Sequence, residues 1–169
     1  KEMTRERESK KHLVECNHRS GEIEQLAEAE AHIHDIEIEV CISKKLPKVL
    51  VDTIQIQQVT LNLLRNGMEA MRSVGCSNGD TIQLKARLRE GGDVEIVVID
   101  SGNGVPPEVA TKLFTPFSTT KDSGMGMGLS ISRAIVIAHG GQLDFENNES
   151  GGAIFTFNLP AAKQGEKHG

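Results

Sequence analysis

The longest helical pattern in the chain carries amide side chains along one face. At about 100° per residue, a set of polar side chains falls within an arc of roughly 100°, namely Gln55, Gln58, Asn62, Arg65, Asn66 and Glu69. Exposed helix faces favour Glu, Lys and Arg, whereas Asn costs up to about 0.7 kcal/mol relative to Ala within a helix. The stripe is therefore either a solvated surface or a Mg²⁺ site, in which an amide oxygen binds the metal beside nucleotide phosphates.

A carboxylate stands where a buried strand is predicted to end. The run "VEIVVID" leads directly into Asp100, and Gly102 and Gly104 follow at alternate positions. Glycines let the backbone approach a flat ligand closely, and a carboxylate accepts a hydrogen bond from an exocyclic amine such as that of adenine. Guanine has a carbonyl there and would be disfavoured. A tight turn without a ligand explains the same residues.

Three glycines at alternate positions, Gly124, Gly126 and Gly128, open another predicted helix. A dinucleotide-binding fingerprint needs the spacing G-x-G-x-x-G directly after a strand, but here the spacing is G-x-G-x-G after a polar loop. The segment is therefore either a flexible hinge or a phosphate site, because free N–H groups and the dipole at a helix N-terminus favour anions.

The elements that must position these groups are short strands interrupted by few helices. Helical patterns cover residues 21–33, 53–71, 106–114 and the segment after Gly124, and strand patterns cover 36–42, 48–51, 81–88, 93–100, 141–147 and 153–160. Asp52 or Thr53 is expected to cap the long helix. The first two strands are predicted to form a hairpin-like pair. The predicted fold class is α+β, with a mixed, largely antiparallel sheet covered on one face by helices.

Composition excludes several classes of function. The 169 residues suit one domain. Aromatic residues make up only 3%, the net charge is −5, and Lys and Arg are scattered, which argues against nucleic-acid binding. The three cysteines are widely spaced, so we expect no disulfide framework and a reducing, cytoplasmic compartment. No apolar run approaches the ~20 residues of a membrane span, so we expect no membrane contact from this domain.

In this order, the motifs resemble those of the ATP-binding catalytic domain of bacterial two-component sensor histidine kinases, within the superfamily shared with gyrase, the heat-shock chaperone ATPase and mismatch-repair ATPases. The segments similar to the family's boxes are "QQVTLNLLRNGMEAM" (N box), "DSGNG" (first glycine box), "FTPFSTTK" (F box), "GMGMGL" (second glycine box) and "SGGAIFTFNLP" (last glycine box). The resemblance covers residues 21–160. It implies a two-layer α/β sandwich of the Bergerat type, with ATP and Mg²⁺ as cofactors.

The resemblance assigns roles to the residues that match the family's motifs. It makes Asn66 the Mg²⁺ ligand and Asn62 a catalytic neighbour in the nucleotide and metal shell. Asp100 would accept the adenine amine, and Gly102 and Gly104 would border the base. The other residues implied in nucleotide binding are Arg65, Thr119, Thr120, Lys121, Gly124, Gly126, Gly128 and Leu129.

Within that set, the resemblance places Thr119, Thr120 and Lys121 in an ATP lid, and the glycines and Leu129 over the triphosphate. Lys121 is either a catalytic contact of the terminal phosphates or a solvated loop lysine. Two positions depart from the family pattern. Gly67 stands where Ala is usual. Glu69 stands where many members have a Lys or Arg that contacts a phosphate, so this contact is not expected here unless Arg65 supplies it.

The implied activity is phosphoryl transfer to a histidine. Related hydrolases have a water-activating Glu where Asn62 stands, so we expect slow hydrolysis and transfer to a well-placed nucleophile. The family's nucleophile lies in an H-E/D-x-x-x-P helix. None of the six histidines has that context, and His34–Asp35 comes nearest but lacks the proline.

We therefore expect the phosphoacceptor to precede Lys1. Residues 1–20 would be the end of a dimerisation helix or linker, residues 21–160 the catalytic domain, and residues 161–169 a polar tail. The expected partners are the phosphoacceptor domain of the same protein and a response regulator. The isolated domain is expected to be monomeric and the full protein homodimeric. The alternatives are an ATP-driven clamp or hydrolase, a serine kinase acting on a small protein, and an inactive nucleotide-binding module.

Overall fold

The computed structural model describes residues 22–43, 46–47, 49, 51–73, 81–114, 125–149 and 151–161. The predicted N-terminal helix or linker and residues 162–169 of the predicted tail lie outside these ranges. The elements, in chain order, are helix α1 (Glu22–His34), strand β1 (Glu37–Ile42), helix α2 (Thr53–Ser73), strands β2 (Thr81–Leu88) and β3 (Val94–Ile99), the short helix α3 (Pro107–Ala110), helix α4 (Met125–Ala138), and strands β4 (Leu143–Asn147) and β5 (Ala153–Leu159).

The strands form a five-stranded sheet in the order β1-β2-β3-β5-β4. The β1–β2 pair is parallel, and the other three pairs are antiparallel. In the register, Leu84 lies opposite Val98, and Val98 lies opposite Phe155, so these side chains share one face. The predicted mixed, largely antiparallel sheet is confirmed.

The helices in the described ranges cover one face of this sheet. Helix α2 supplies fully buried side chains, among them Leu63, Leu64, Met68 and Met71, which pack in one cluster with Phe157 of β5. The opposite face carries charged groups, such as the pair in which Arg87 Nε donates to Glu95 Oε1 at 2.8 Å. The predicted α+β sandwich is therefore confirmed, and its core lies between α2 and the sheet.

The predicted hairpin between residues 36–42 and 48–51 is wrong. Strand β1 pairs in parallel with β2, which follows α2 in the chain. Val49 forms an isolated bridge with Ala161 instead. Strict alternation identifies a half-buried strand but does not identify its neighbour, because either edge of a strand can form a ladder.

Asp52 and His139 join the start of α2 to the end of α4. Asp52 Oδ1 accepts hydrogen bonds from the N–H groups of Ile54 (3.1 Å) and Gln55 (3.2 Å), so the predicted cap at Asp52 is confirmed. The N–H of Asp52 donates to His139 Nε2 at 3.0 Å, and His139 Nδ1 lies 2.8 Å from the carbonyl oxygen of Ile135. These partners place the ring proton on Nδ1. The two helices that carry the polar stripe and the last two glycines are thus fixed relative to each other.

Candidate functional site

Asp100 lies at the end of β3 with only 4% of its surface exposed. Its Oδ1 accepts hydrogen bonds from the N–H of Gly102 at 2.9 Å and from the N–H of Ala153 at 3.1 Å. No described residue donates a hydrogen bond to Oδ2. Oδ1 therefore holds two backbone segments together, whereas Oδ2 keeps its acceptor capacity with respect to the described part of the chain.

Burial changes the proton affinity of this carboxyl group. Desolvation raises the pKa of Asp100 above its ordinary value of 3.8, and the two backbone hydrogen bonds from Gly102 and Ala153 oppose that rise. The folded chain thus penalises the charged form of Asp100. A ligand that donates a hydrogen bond to Oδ2 would relieve part of this penalty.

Two glycines allow α2 to approach the loop that contains Asp100. A Cβ on Gly67 would lie 2.8 Å from Ile82 Cδ1 and 3.0 Å from Asp100 Cβ, and a Cβ on Gly102 would lie 2.8 Å from the carbonyl carbon of Ala70. The missing side chain at Gly67 thus lets strand β2 and the end of β3 approach α2 closely. An Ala at this position would require Ile82 and Asp100 to shift by a few tenths of an ångström.

The amides of the polar stripe lie on this same helix. Asn66 Nδ2 is buried and has no hydrogen-bond partner among the residues that the structure describes. Asn62 Nδ2 donates to Ser132 Oγ of α4 at 3.2 Å, and Ser132 is fully buried. A buried amide without a partner costs free energy unless a ligand or water satisfies it. Within the described ranges, Asn66 is thus the stripe residue whose buried amide is unsatisfied.

Arg65 takes part in a different set of contacts. Its Nε lies 3.2 Å from Glu30 Oε2 of α1, and the same oxygen lies 3.3 Å from His34 Nε2. The Arg65 side chain is half exposed. This ion pair links α1 to α2, and the nucleotide contact implied for Arg65 stays a prediction.

Helix α4 contains the last two glycines of the glycine-rich segment. A Cβ on Gly128 would lie 3.7 Å from the side-chain amide of Asn62, so the start of α4 faces the polar stripe. Leu129 is 1% exposed and belongs to the core, where it anchors this end of the helix. Gly126 lies in the same turn. The contacts of these residues with a triphosphate stay predictions, and Thr119, Thr120, Lys121 and Gly124 lie outside the described residues.

Sequence reasoning missed Asn147, the last residue of β4. Its side-chain amide forms two hydrogen bonds with the backbone of Val105, in the loop after Asp100. An asparagine beside a turn is ordinarily explained as a turn residue, so nothing local in the sequence indicates this contact. The same holds for Ser132, which reads as one more residue of an apolar helix.

The part of the chain that the structure describes was compared with the requirements of a metal site and of a membrane span. Within it, no group of three or more His, Cys, Asp or Glu side chains is arranged to hold a metal ion. No helix in the described ranges has the length and apolar character needed to cross a bilayer.

This site combines a one-sided sandwich, a carboxylate at a strand end and a helix that carries amides. A protein family with known members has the same combination. The profile of the histidine kinase-, DNA gyrase B- and HSP90-like ATPases matches residues 51–163, which contain all five boxes. The chain belongs to this family, and the predicted resemblance is confirmed.

Among its relatives are the C4-dicarboxylate transport sensor protein DctS of Rhodobacter capsulatus, 42% identical over 135 residues, and the sensor protein FixL of Bradyrhizobium diazoefficiens, 40% identical over 159 residues. These matches cover 80% and 93% of this chain but only 20% and 30% of the two relatives.

Two solved structures of histidine kinases are similar to this chain. The nucleotide-free catalytic domain of the histidine kinase ThkA has a TM-score of 0.69 and 33% identity, and the match covers 82% of this chain and 88% of that one. Full-length ShkA, solved in complex with AMPPNP, has a TM-score of 0.69 and 31% identity, covering 84% of this chain and 30% of that one. The fold is that of histidine kinase catalytic domains.

Proposed function

We propose that this domain binds Mg·ATP and donates the γ-phosphoryl group to a histidine of a dimerisation domain, for onward transfer to a response regulator. The observation that carries the proposal is the asymmetry of Asp100, in which Oδ1 accepts two backbone N–H groups and Oδ2 accepts none from the residues that the structure describes. Family membership and the AMPPNP bound to its relative ShkA support the same ligand.

Adenine is the base that suits this carboxylate. Its exocyclic amine would donate to Oδ2, and a hydrogen bond to a charged acceptor contributes about 1.5–3 kcal/mol. The carbonyl of guanine would face the same oxygen with no proton between them. Gly102 and Gly104 lack side chains on this loop, so a flat base has backbone to pack against.

The residues of α2 fit a Mg²⁺ ion brought by the nucleotide. The buried Asn66 Nδ2 has no partner in the described part of the chain, and rotation of that amide would present its oxygen, a ligand that Mg²⁺ accepts together with waters and phosphates. The ion would neutralise phosphate charge during transfer. Asn62 would lie beside it, held by Ser132. Thr119, Thr120, Lys121 and Gly124 are proposed to close over the phosphates.

The chemistry of Asn62 favours transfer over hydrolysis. An amide has no basic lone pair with which to activate water, and Asn62 already donates to Ser132 Oγ. A domain of this kind positions the phosphates and neutralises their charge, while the partner supplies the nucleophile.

The remaining assignments concern the longer protein. The relatives are several times longer than this chain, and we propose that an upstream phosphoacceptor domain precedes residues 1–20, which would end its dimerisation helix. We further propose a monomeric isolated domain, a homodimeric full protein, a cytoplasmic location for this domain, and no contact of this domain with nucleic acid or membrane.

The proposal is tested with radiolabelled Mg·ATP, the full 169-residue chain and a separately added phosphoacceptor-helix domain. We expect acid-labile, base-stable label on the added domain. Asn66→Ala should abolish it, because the metal loses its protein ligand, whereas Gln58→Ala, on the exposed N-terminal half of the same stripe, should not. Rapid phosphate release without the partner would favour a hydrolase, and label on a serine would favour the serine-kinase alternative.

A further inference from the structure

The loop that follows β3 is held at both ends by one corner of the sheet. At its start, Asp100 Oδ1 accepts hydrogen bonds from the N–H groups of Gly102 and Ala153. At its end, Asn147 contacts the backbone of Val105. Asn147 lies opposite Ala153 in the β4–β5 register, so both anchors belong to the same end of one strand pair.

Asn147 uses both ends of its amide on a single residue. The N–H of Val105 donates to Asn147 Oδ1 at 2.9 Å, and Asn147 Nδ2 donates to the carbonyl oxygen of Val105 at 3.0 Å. The reverse orientation would set donor against donor and acceptor against acceptor, so the amide orientation is fixed. The exchange of both bonds with one residue copies the hydrogen-bonded pair of an antiparallel ladder. The Asn147 side chain thus provides the loop with the two hydrogen bonds that a neighbouring strand would otherwise provide.

Gly104 shows how closely the loop is pressed against this amide. Its φ is +79°, a backbone conformation that side chains rarely adopt. A Cβ there would lie 2.6 Å from Asn147 Oδ1 and 3.1 Å from the carbonyl oxygen of Gly152. The loop between Asp100 and Val105 is therefore shaped from outside, by a residue 42 positions away in the chain from Val105.

We propose that Asn147 is a positioning residue for the nucleotide base, which holds the loop of Gly102 and Gly104 in the shape against which adenine packs. The inference rests on the proposed function, because it requires the base to lie beside Asp100. Asn147 itself touches no nucleotide in this scheme. It contributes to affinity and to the preference for adenine by keeping the loop ordered before the base arrives, which lowers the ordering cost of binding.

The test compares Mg·ATP and Mg·GTP binding by calorimetry, well below the melting temperature, on the full chain. In Asn147→Ala, we expect the Kd for ATP to rise about tenfold and the GTP-to-ATP ratio of Kd values to fall, because two hydrogen bonds that order the loop are lost. Asn147→Asp retains an acceptor for the N–H of Val105 but sets a carboxylate oxygen against the Val105 carbonyl. Its loss of ATP affinity should therefore be at least as large as that of Asn147→Ala. Glu146→Ala is the control, because that exposed neighbour points to the other face of the sheet and should leave both Kd values unchanged.

The outcomes separate this inference from the proposed function. A wild-type chain that does not prefer ATP to GTP refutes the proposed function, and with it the inference. A wild-type chain that prefers ATP, with Asn147→Ala showing the same two Kd values, refutes the inference alone. A lower melting temperature of Asn147→Ala with an unchanged ratio of Kd values also refutes it, since purely structural support would not alter base selectivity.

Discussion

Replacement of Asp100 by asparagine separates the two tasks of this side chain. The amide oxygen can still accept the N–H groups of Gly102 and Ala153, which lie 2.9 and 3.1 Å from Oδ1. The opposite amide orientation would point NH₂ at two donors, so the NH₂ group takes the place of Oδ2. Asp100→Asn therefore preserves the fold of the loop and exchanges the acceptor at Oδ2 for a donor.

The effect on nucleotide binding follows from that exchange. The adenine amine loses a charge-assisted hydrogen bond of about 1.5–3 kcal/mol, which corresponds to roughly a 10- to 150-fold rise in the Kd for ATP, and it also meets a second donor. The guanine carbonyl would instead find a donor. We expect the Kd for GTP to fall, so that the preference for ATP over GTP shrinks or reverses.

Asp100→Asn is expected to weaken ATP binding but to raise the free energy of unfolding. Because burial raises the pKa of Asp100, the folded chain binds the proton more tightly than the unfolded chain does. The contribution of Asp100 to the free energy of unfolding of the nucleotide-free wild type therefore falls as pH rises from the ordinary value of 3.8 to the folded-state pKa, and then levels. Asp100→Asn removes this dependence and should be more stable than the wild type at neutral pH.

Calorimetry with ATP and GTP at neutral pH, together with thermal unfolding between about pH 4 and pH 8, measures both effects. Asp100→Ala is the contrasting variant, because it leaves two buried N–H groups without an acceptor, which costs about 1–3 kcal/mol for each. Unchanged ATP affinity in Asp100→Asn would refute the base contact. An Asp100→Asn chain less stable than the wild type at neutral pH would refute the cost assigned to the buried charge.

Two further predictions concern backbone conformation. Asp35, the residue directly after α1, has φ at +60°, so Asp35→Gly should raise the free energy of unfolding by about 0.5–1 kcal/mol, and Asp35→Ala should lower it, as measured by urea unfolding. An equal loss in both variants would contradict the strain argument. Gly152 has φ at +92°, and an added Cβ would collide with the carbonyl oxygen of Asp100, so Gly152→Ala should cost about 2–3 kcal/mol. Gly91→Ala, where a Cβ meets nothing within 4 Å, is its control, and equal stability of the two variants would contradict the prediction.

Local features of the site could be predicted because they repeat with the period of a single element. The 3.6-residue period places Asn62 and Asn66 on one side of α2 and the core residues on the other. A hydrophobic strand that runs into Asp100, Gly102 and Gly104 is likewise visible in the order of residues. The family motifs then supplied roles that the periodicity had left open.

The contacts that complete the site join distant parts of the chain. Ala153 is 53 residues from Asp100, Asn147 is 42 residues from Val105, and Ser132 is 70 residues from Asn62. A period identifies which face of an element is buried but not which element covers that face. The hairpin predicted at β1 was wrong for the same reason. The alternation of residues does not show that β1 pairs with β2, which follows α2 in the chain.

The sequence by itself determined the long helices, the five strands, the one-sided core and the identity of the polar residues, because each depends on neighbours a few positions apart. Only the tertiary structure decided which oxygen of Asp100 binds the backbone, which amide of the stripe has no partner among the described residues, and which side chain supports the loop. These depend on a strand pair and two helices meeting at one corner, where a shift of an ångström would exchange a hydrogen bond for an unpaired group.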